Sequence, residues 1–397
     1  MLNNKIIKEK FPVGFYNDLH QDFSINFQMN RFYNWSNDEE MLKEMKEVSP
    51  YIHNYEDYIN KFLELSEKAL KEGKKLRAAY YLRGAEFYIS ETDPKKQACR
   101  KHFISLMQEH FHVKDSQHYK VPYENGFLSA YRFTPEAPKG TFVMFGGFDS
   151  YIEEIFSVAM IIKDEGYSVI CFDGPGQGTT LEDYKISMTH EWEKPVKAIL
   201  DFFKTDDATL FGLSLGGYLA IRAAAFENRV KCVIADDICA DFYQILLRQI
   251  PVNLREEFQA FMLNQNDQEV NSLIKKLMKE SLMLEWAVNQ GMHITGTQTP
   301  YDFMSKMMLF NTKEISAKVE QDVLLMAAQE DHYIPLNQLF EQSKSLINVR
   351  SLTTRMFTRK ENAQNHCHVG NIGLSIEVIL NWLEQNSKQK TLLINNL

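Results

Sequence analysis

The chain has no run approaching the roughly 18 apolar residues that a membrane-spanning helix requires, so no membrane span is expected. It has no CxxC pair. Its five cysteines, Cys99, Cys171, Cys232, Cys239 and Cys367, are odd in number and scattered. That pattern fits free thiols in a reducing compartment better than a disulfide framework, and a cytoplasmic location is expected. No basic run exceeds "KKLR" at Lys74–Arg77, which reads as one solvated helix face, and the formal net charge is -9. A nucleic-acid footprint, which takes a basic patch or stripe, is not expected. The opening "MLNNKIIKEKFPVGF" lacks the apolar core and small-residue cleavage site of a signal peptide, so no leader is expected there. No internal repeat or low-complexity segment is evident.

What is present falls into blocks. The first 115 residues or so read as helical. Apolar residues recur at helical spacing between Ile52 and Phe111, as at Tyr55, Tyr58, Ile59, Phe62 and Leu63 and again at Ala78, Tyr81, Leu82 and Ala85. "SETDPKK" at Ser90–Lys96 breaks the run, with Pro94 where a following helix can begin. The pattern then changes. Thr141–Phe145, Ser168–Phe172, Ala208–Gly212, Lys231–Asp236, Asp322–Ala328 and Ser351–Phe357 are short apolar or β-branched runs. The first five are almost wholly apolar, as strands buried on both faces must be. Helix-length segments separate them, so the fold class is α/β, with a mostly parallel sheet flanked by helices. "SAYRFTP" near Ser129–Pro135 is expected to add an antiparallel strand. From Asp241 to Val319 the chain is helical and rich in Met, Leu and Phe, with no strand candidate; it reads as a lid. The expected organisation is a helical segment over 1–118, sheet core over 119–240, lid over 241–319, further core over 320–388 and a frayed tail over 389–397.

Inside "LFGLSLGGYLAIRAAA", Gly212-Leu213-Ser214-Leu215-Gly216 matches G-x-S-x-G between a predicted strand and a predicted helix, the context the motif requires. A serine at the tip of so tight a turn has strained backbone, and side chains two residues to either side would collide, hence Gly212 and Gly216. The helix start behind Ser214 offers positive potential and free N–H groups, and the Leu215 N–H points where an oxyanion would form. "FVMFGGFDSYIEE" ends an earlier strand in Gly146-Gly147, which allow close backbone approach; Phe148 is the expected second oxyanion donor.

A triad built on this motif runs Ser, then Asp or Glu, then His. Asp331, just past a strand in "LLMAAQEDHYIP", is the expected acid, with Glu330, Asp236 and Asp237 as rivals. The base falls in "ENAQNHCHVGN", where His366 and His368 both qualify. The same loop could be half a metal site. It supplies only two histidines, Cys367 should point elsewhere if the loop is extended, and no H-E-x-x-H occurs, so no metal is expected. His102, His110, His112 and His118 read as polar ends of helices in the N-terminal segment.

Together "GGFDSYIEE", "GYSVICFDGPGQG", "GLSLGGYLAIRAAA", "EDHYIP" and "NHCHVGN" resemble the α/β-hydrolase superfamily over roughly Val121 to Glu384. They are most similar to the branch holding pseudo-oxynicotine C–C hydrolases, fungal pigment chain-shortening hydrolases and fermentation/respiration-switch-type esterases. The resemblance implies Ser214 as nucleophile, Asp331 as acid and the first histidine of "HCH", His366, as base. Leu215 and Phe148 match the oxyanion positions, and "DGPGQG" at Asp173–Gly178 matches a structural loop beside the site. Many such hydrolases carry a histidine where this chain has Gly146. The residues are also similar to the catalytic domain of prolyl-oligopeptidase-type acylaminoacyl peptidases, but the N-terminal segment is too short and helical for their propeller.

The expected activity is hydrolysis of an ester, an amide or a β-dicarbonyl C–C bond in a small apolar or aromatic compound, without a cofactor. An acylaminoacyl-peptidase-like activity is the alternative. An inactive binding protein would normally have lost Ser, Asp or His. The expected partner is a small-molecule substrate, with neither nucleic acid nor membrane, and a homodimer left open. The pocket should lie between the helical cap and the sheet. Most cap aromatics and methionines (Phe242, Tyr243, Phe258, Phe261, Met262, Met283, Trp286, Tyr301, Phe303, Met304, Met307, Met308) read as cap core.

Overall fold

The computed structural model describes residues 11–395; residues 1–10, where the absence of a leader was read, and 396–397 lie outside the described residues. Eight strands form one sheet: β1 His118–Tyr123, β2 Gly126–Phe133, β3 Thr141–Phe145, β4 Ser168–Asp173, β5 Ala208–Leu213, β6 Val230–Asp236, β7 Asp322–Ala328 and β8 Ser351–Phe357. Their order across the sheet is β1-β2-β4-β3-β5-β6-β7-β8. The β1–β2 and β2–β4 pairs are antiparallel and all others parallel. The apolar runs are the central strands: every residue of β4 and β7 is buried, and helices cover both faces. The edge strand β8 has a half-exposed pattern, which is why its sequence is mixed.

The register sets where the site forms. Phe145 pairs with Gly212, Gly212 with Ala235 and Leu213 with Asp236. The loops that follow β3, β5 and β6 therefore leave the sheet side by side, at the C-terminal edge where open α/β sheets hold their ligands.

The N-terminal helices are Phe23–Ser36, Glu39–Val48, Tyr55–Lys71, Lys75–Tyr88 and Pro94–His110. Asp22, Asp38, Asn54 and Asp93 cap four of them, each accepting a hydrogen bond from a first-turn N–H. Pro94 does open a helix. Gly84 lets two of these helices meet closely, since a Cβ there would stand 2.6 Å from the Phe62 ring. Tyr58, Phe62, Tyr80, Tyr81 and Phe103 are fully buried between them, and burial on this scale contributes about 2 kcal/mol per side chain.

The reading of His118 as a helix end is corrected. His118 opens β1, stacks on Tyr131 with ring centroids 4.3 Å apart and bonds Ser129 Oγ through Nε2 at 2.9 Å. Pro122 suits this edge strand, where a missing N–H costs no ladder bond. Between β6 and β7 come the helices Phe242–Arg248, Arg255–Leu263, Asp267–Met278, Leu282–Thr295 and Pro300–Met307, the all-helical interval read from the sequence. The last helix runs from Ile372 to Asn395, through most of the stretch expected to fray.

Candidate active site

Ser214 sits between β5 and the helix Leu215–Ala224 with φ 60° and ψ -123°. A non-glycine residue there carries strain of about 1–3 kcal/mol, which the surroundings must hold. They do so through the Ser214 N–H, which donates to the Asp236 carbonyl at 2.6 Å, and through crowding that only glycine permits. A Cβ at Gly212 would stand 2.0 Å from the Gly216 carbonyl oxygen, and one at Gly217 would stand 2.3 Å from the Asp237 carbonyl oxygen.

The Ser214 Oγ lies 2.9 Å from His366 Nε2, and His366 Nδ1 lies 2.6 Å from Asp331 Oδ2. Asp331 is held in turn: its Oδ1 accepts the Tyr333 and Ile334 N–H groups at 2.7 and 2.9 Å. The structure thus brings Ser214, His366 and Asp331 into one hydrogen-bonded line. Burial works against the His366 imidazolium, but the Asp331 charge outweighs it and, with Cys367 adding, holds the ring well above its ordinary pKa. Burial likewise pushes Asp331 up, and His366 more than reverses this, so the carboxyl titrates below the usual range.

Of the rival acids, Asp237 stays close, 3.5 Å from His366 Nδ1; the other rivals stand elsewhere. Glu330 faces outward to the Arg359 guanidinium. His332 packs between Phe23 and Phe27, with centroids 4.8 and 4.5 Å away, and burial pushes it down to about 3, so it stays neutral. His368 turns away from Ser214 to Asp236, with Nε2 2.6 Å from Oδ1.

The expectation that Cys367 points elsewhere is corrected. The loop is a tight turn, not an extended segment: Cys367 has φ 49° and His368 φ 56°. Its N–H donates to Asp237 Oδ2 at 2.9 Å, and its thiol joins His366 and Asp237 in a group whose potential ligand atoms lie within 4.8 Å of one another. Asp236, Asp237 and His368 form a second such group. In both, imidazole nitrogens are already engaged, by Asp331 and Ser214 in one and by Asp236 in the other. A metal there would have to displace those partners.

The loop after β3 meets the start of the Leu215 helix. A Cβ on Gly147 would stand 2.8 Å from the Leu215 nitrogen, and one on Gly146 would strike Ser150 Cβ at 2.4 Å. Behind the loop, the Gln177 side-chain amide donates to the Gly146 and Gly147 carbonyls at 2.8 and 3.0 Å. Gln177 thus supports the loop that lacks the histidine common at position 146. It belongs to "DGPGQG", whose buried Asp173 accepts the Ile152 and Thr179 N–H groups.

Above Ser214 lies a cavity of about 100 Å³. Of the cap side chains, Phe242, Met283 and Trp286 line it, whereas Phe258, Phe303, Met304 and Met307 are core. Phe27, Arg31 and Trp35 add a wall that sequence reading did not single out, although i, i+4, i+8 spacing puts them on one helix face. Their helix is buried nearly all round, with Asn26, Asn30 and Asn34 inside, which blurs the apolar period. Arg31 is the cavity's cation. Its guanidinium lies 2.6 Å from Glu154 and 3.3 Å from Asp149. Arg83 pairs with Glu154 at 3.0 Å and Glu86 at 2.6 Å, and Lys96 with Glu86 at 2.7 Å.

Comparison with known proteins agrees with this architecture. The model of the Alpha/beta hydrolase family matches residues 160–353. The 20-hydroxy-prefusarin hydrolase FUS2 of Gibberella moniliformis is 28% identical over 321 residues, 72% of this chain and 76% of that protein. Hydrolase LUC6 of a Fusarium species is 30% identical over 286 residues, 66% of this chain and 68% of that one. The crystal structure of 2,6-dihydroxy-pseudo-oxynicotine hydrolase superposes with a TM-score of 0.62 at 18% identity, covering 89% of this chain and 94% of its own. With the strand order above and these relatives in hand, the chain belongs to the α/β-hydrolase family.

Proposed function

We propose that the protein is a serine hydrolase with Ser214 as nucleophile, His366 as general base and Asp331 as the orienting acid. The observation that carries this reading is the line of two short contacts, Ser214 Oγ to His366 Nε2 at 2.9 Å and His366 Nδ1 to Asp331 Oδ2 at 2.6 Å, at the foot of the cavity. His366 takes the Ser214 proton as Oγ adds to a carbonyl carbon. The Leu215 and Phe148 N–H groups hold the oxyanion, an assignment supported by how closely the Gly147 backbone passes the Leu215 nitrogen, leaving no room there for a Cβ. His366 then protonates the leaving group, and water, deprotonated by the same ring, releases the acid from the acyl-enzyme.

The pocket is mostly aromatic and aliphatic, with its charges paired among themselves, which supports a small apolar or aromatic acyl compound. A relative named for 20-hydroxy-prefusarin is in keeping with a small organic substrate. The bond is that of an ester, an amide or a β-dicarbonyl.

A fluorophosphonate probe, with and without chelator, tests the reading. Labelling should survive chelation and vanish in Ser214→Ala. No labelling, with hydrolysis lost to chelator, would sink it. A panel of acyl esters, aminoacyl anilides and β-diketones then assigns the bond, the anilides testing the peptidase-like alternative.

A further inference from the structure

Behind His366 stands a second carboxylate that the reading above does not use. Asp237 follows β6, whereas Asp331 follows β7. Asp237 Oδ2 is 3.5 Å from the same His366 Nδ1 that Asp331 engages at 2.6 Å. Both carboxylates are buried and close enough for one, when protonated, to donate to the other. The Cys367 N–H fixes Asp237 Oδ2 at 2.9 Å, and His368 Nε2 stands 3.4 Å from Asp237 Oδ1 while binding Asp236 at 2.6 Å. His366 therefore has one acid in contact and a second aimed at the same nitrogen, less than 1 Å farther out.

We propose that Asp237 is a reserve acid for His366, a positioning residue that takes over orientation of the ring when Asp331 cannot accept its proton. This rests on the serine-hydrolase reading. Two adjacent buried carboxylates resist carrying two charges, so one tends to hold a proton. With Asp331 ionised against His366, Asp237 is the one held up, by burial first and by its acidic neighbours, against the opposing charge of His368. It then donates a hydrogen bond to Asp331 and steadies it. Replace Asp331 by the uncharged isostere, and the charge that kept Asp237 protonated is gone. Asp237 can then ionise, and a movement of its carboxylate by under 1 Å makes the contact with Nδ1. His368 steadies the new charge from the far side. The groups facing Asp237 are Asp236, Asp331, His366, His368 and the Cys367 thiol; those facing His366 are Asp331, Asp237, Cys367, His332 and Tyr333.

The test is a four-member cycle of the full-length chain: the parent, Asp331→Asn, Asp237→Asn and the double variant. Each is read by its rate of fluorophosphonate labelling and by the pH profile of that rate, with circular dichroism and thermal melting to establish folding. Removing the acid of a triad that has only one costs about 10⁴-fold. Here Asp331→Asn should lose only about 10²-fold, Asp237→Asn less than about 10-fold, and the double variant should approach the full loss of about 10⁴-fold. Because a nearby anion raises the imidazole pKa, the acidic limb of the profile should fall to lower pH in steps, from parent to Asp331→Asn to the double variant. Folded variants in which Asp331→Asn and the double variant label equally, with coincident acidic limbs, overturn the proposal. A parent chain that does not label at all overturns the serine-hydrolase reading instead. If the double variant does not fold, Asp331→Asn/Asp237→Glu replaces it: labelling restored above the level of Asp331→Asn supports the reserve role, and a fall below that level with the acidic limb unmoved overturns it.

Discussion

The cavity has a floor and a roof that are built on different principles. The floor comes from the sheet edge, where Ser214, His366, Asp331, Asp237 and Gln177 are each fixed by two or more hydrogen bonds or ion contacts. The roof comes from two separate helical segments, and what faces the cavity there is mostly apolar: Phe27, Trp35, Phe242, Met283 and Trp286, with Arg31 among them. A floor of directional bonds tolerates almost no substitution without losing chemistry. A roof held by dispersion and burial can be recut at a cost mainly in stability and selectivity.

The largest expected break is in the floor. If His366 is the general base, as proposed, His366→Ala should lower hydrolysis by about 10⁴-fold or more, since a triad member acts as part of a unit. His368→Ala, two residues on, should leave most of the activity and act on stability, because it strands the buried Asp236; the melting temperature measures this, and equal losses of activity in both variants would undo the distinction. The pH dependence of stability sharpens it. Burial opposes charging His368, but its acidic neighbours, Asp236 foremost, outweigh it and raise the ring from 6.5 to about 9. A raised histidine pKa contributes stability that is fully present below pH 6.5 and is lost as pH rises through about 9, on the order of 3 kcal/mol. Denaturant unfolding across that window should show the loss, and His368→Gln should flatten it.

On the proposed reading, activity should also rise with pH through a midpoint above 6.5, since His366 would have to be neutral to accept the Ser214 proton and Asp331 holds its pKa up. A pH–rate profile with its acidic midpoint at or below 6.5 would contradict that pairing. Gln177→Leu, which removes the clamp behind the oxyanion loop, should cost about 10-fold in kcat with little change in KM, less than loss of an oxyanion donor itself. The smallest effect on chemistry belongs to the roof. Trp286 stacks on Phe87 with centroids 4.6 Å apart and donates to its carbonyl at 3.2 Å. Trp286→Ala should destabilise the protein by about 3 kcal/mol and shift preference toward bulkier acyl groups, with turnover of short esters changed less than 10-fold. A selectivity profile left unmoved would argue that the roof does not read the substrate.

The same contrast explains what was legible in the sequence. The buried strands are legible as apolar runs, and chain order alone places Ser214, Asp331 and the "HCH" loop after strands that end at one sheet edge, where the structure brings their side chains together. The choice of His366 over His368 came from resemblance; no local pattern says which ring a left-handed turn at Cys367 carries toward Ser214. Gln177 lies inside a loop whose glycines carry the stronger sequence signal. The wall of Phe27, Arg31 and Trp35 was missed for a different reason. Its helix buries Asn26, Asn30 and Asn34 against backbone groups, as where Asn30 donates to the Tyr16 carbonyl at 2.8 Å. Polar residues inside erase the periodicity by which a helix is read. β1 escaped because its residues mix polar, aromatic and proline positions, as an edge strand can.

The paired charges beside the cavity bear on how this chain could be taken apart. Asp149 and Glu154 belong to the loop and turn that follow β3, the stretch that carries Phe148. The cations that neutralise them, Arg31 and Arg83, come from the N-terminal helices. A trimmed protein retaining only the sheet and its lid would keep every residue of the triad and lose those counter-ions. Two uncompensated carboxylates would then line the same cavity as Ser214, and on the proposed reading their repulsion would raise the barrier to forming an oxyanion there. On the serine-hydrolase reading proposed above, the N-terminal helices would then be an electrostatic component of the site, supplying the cations that pair Asp149 and Glu154.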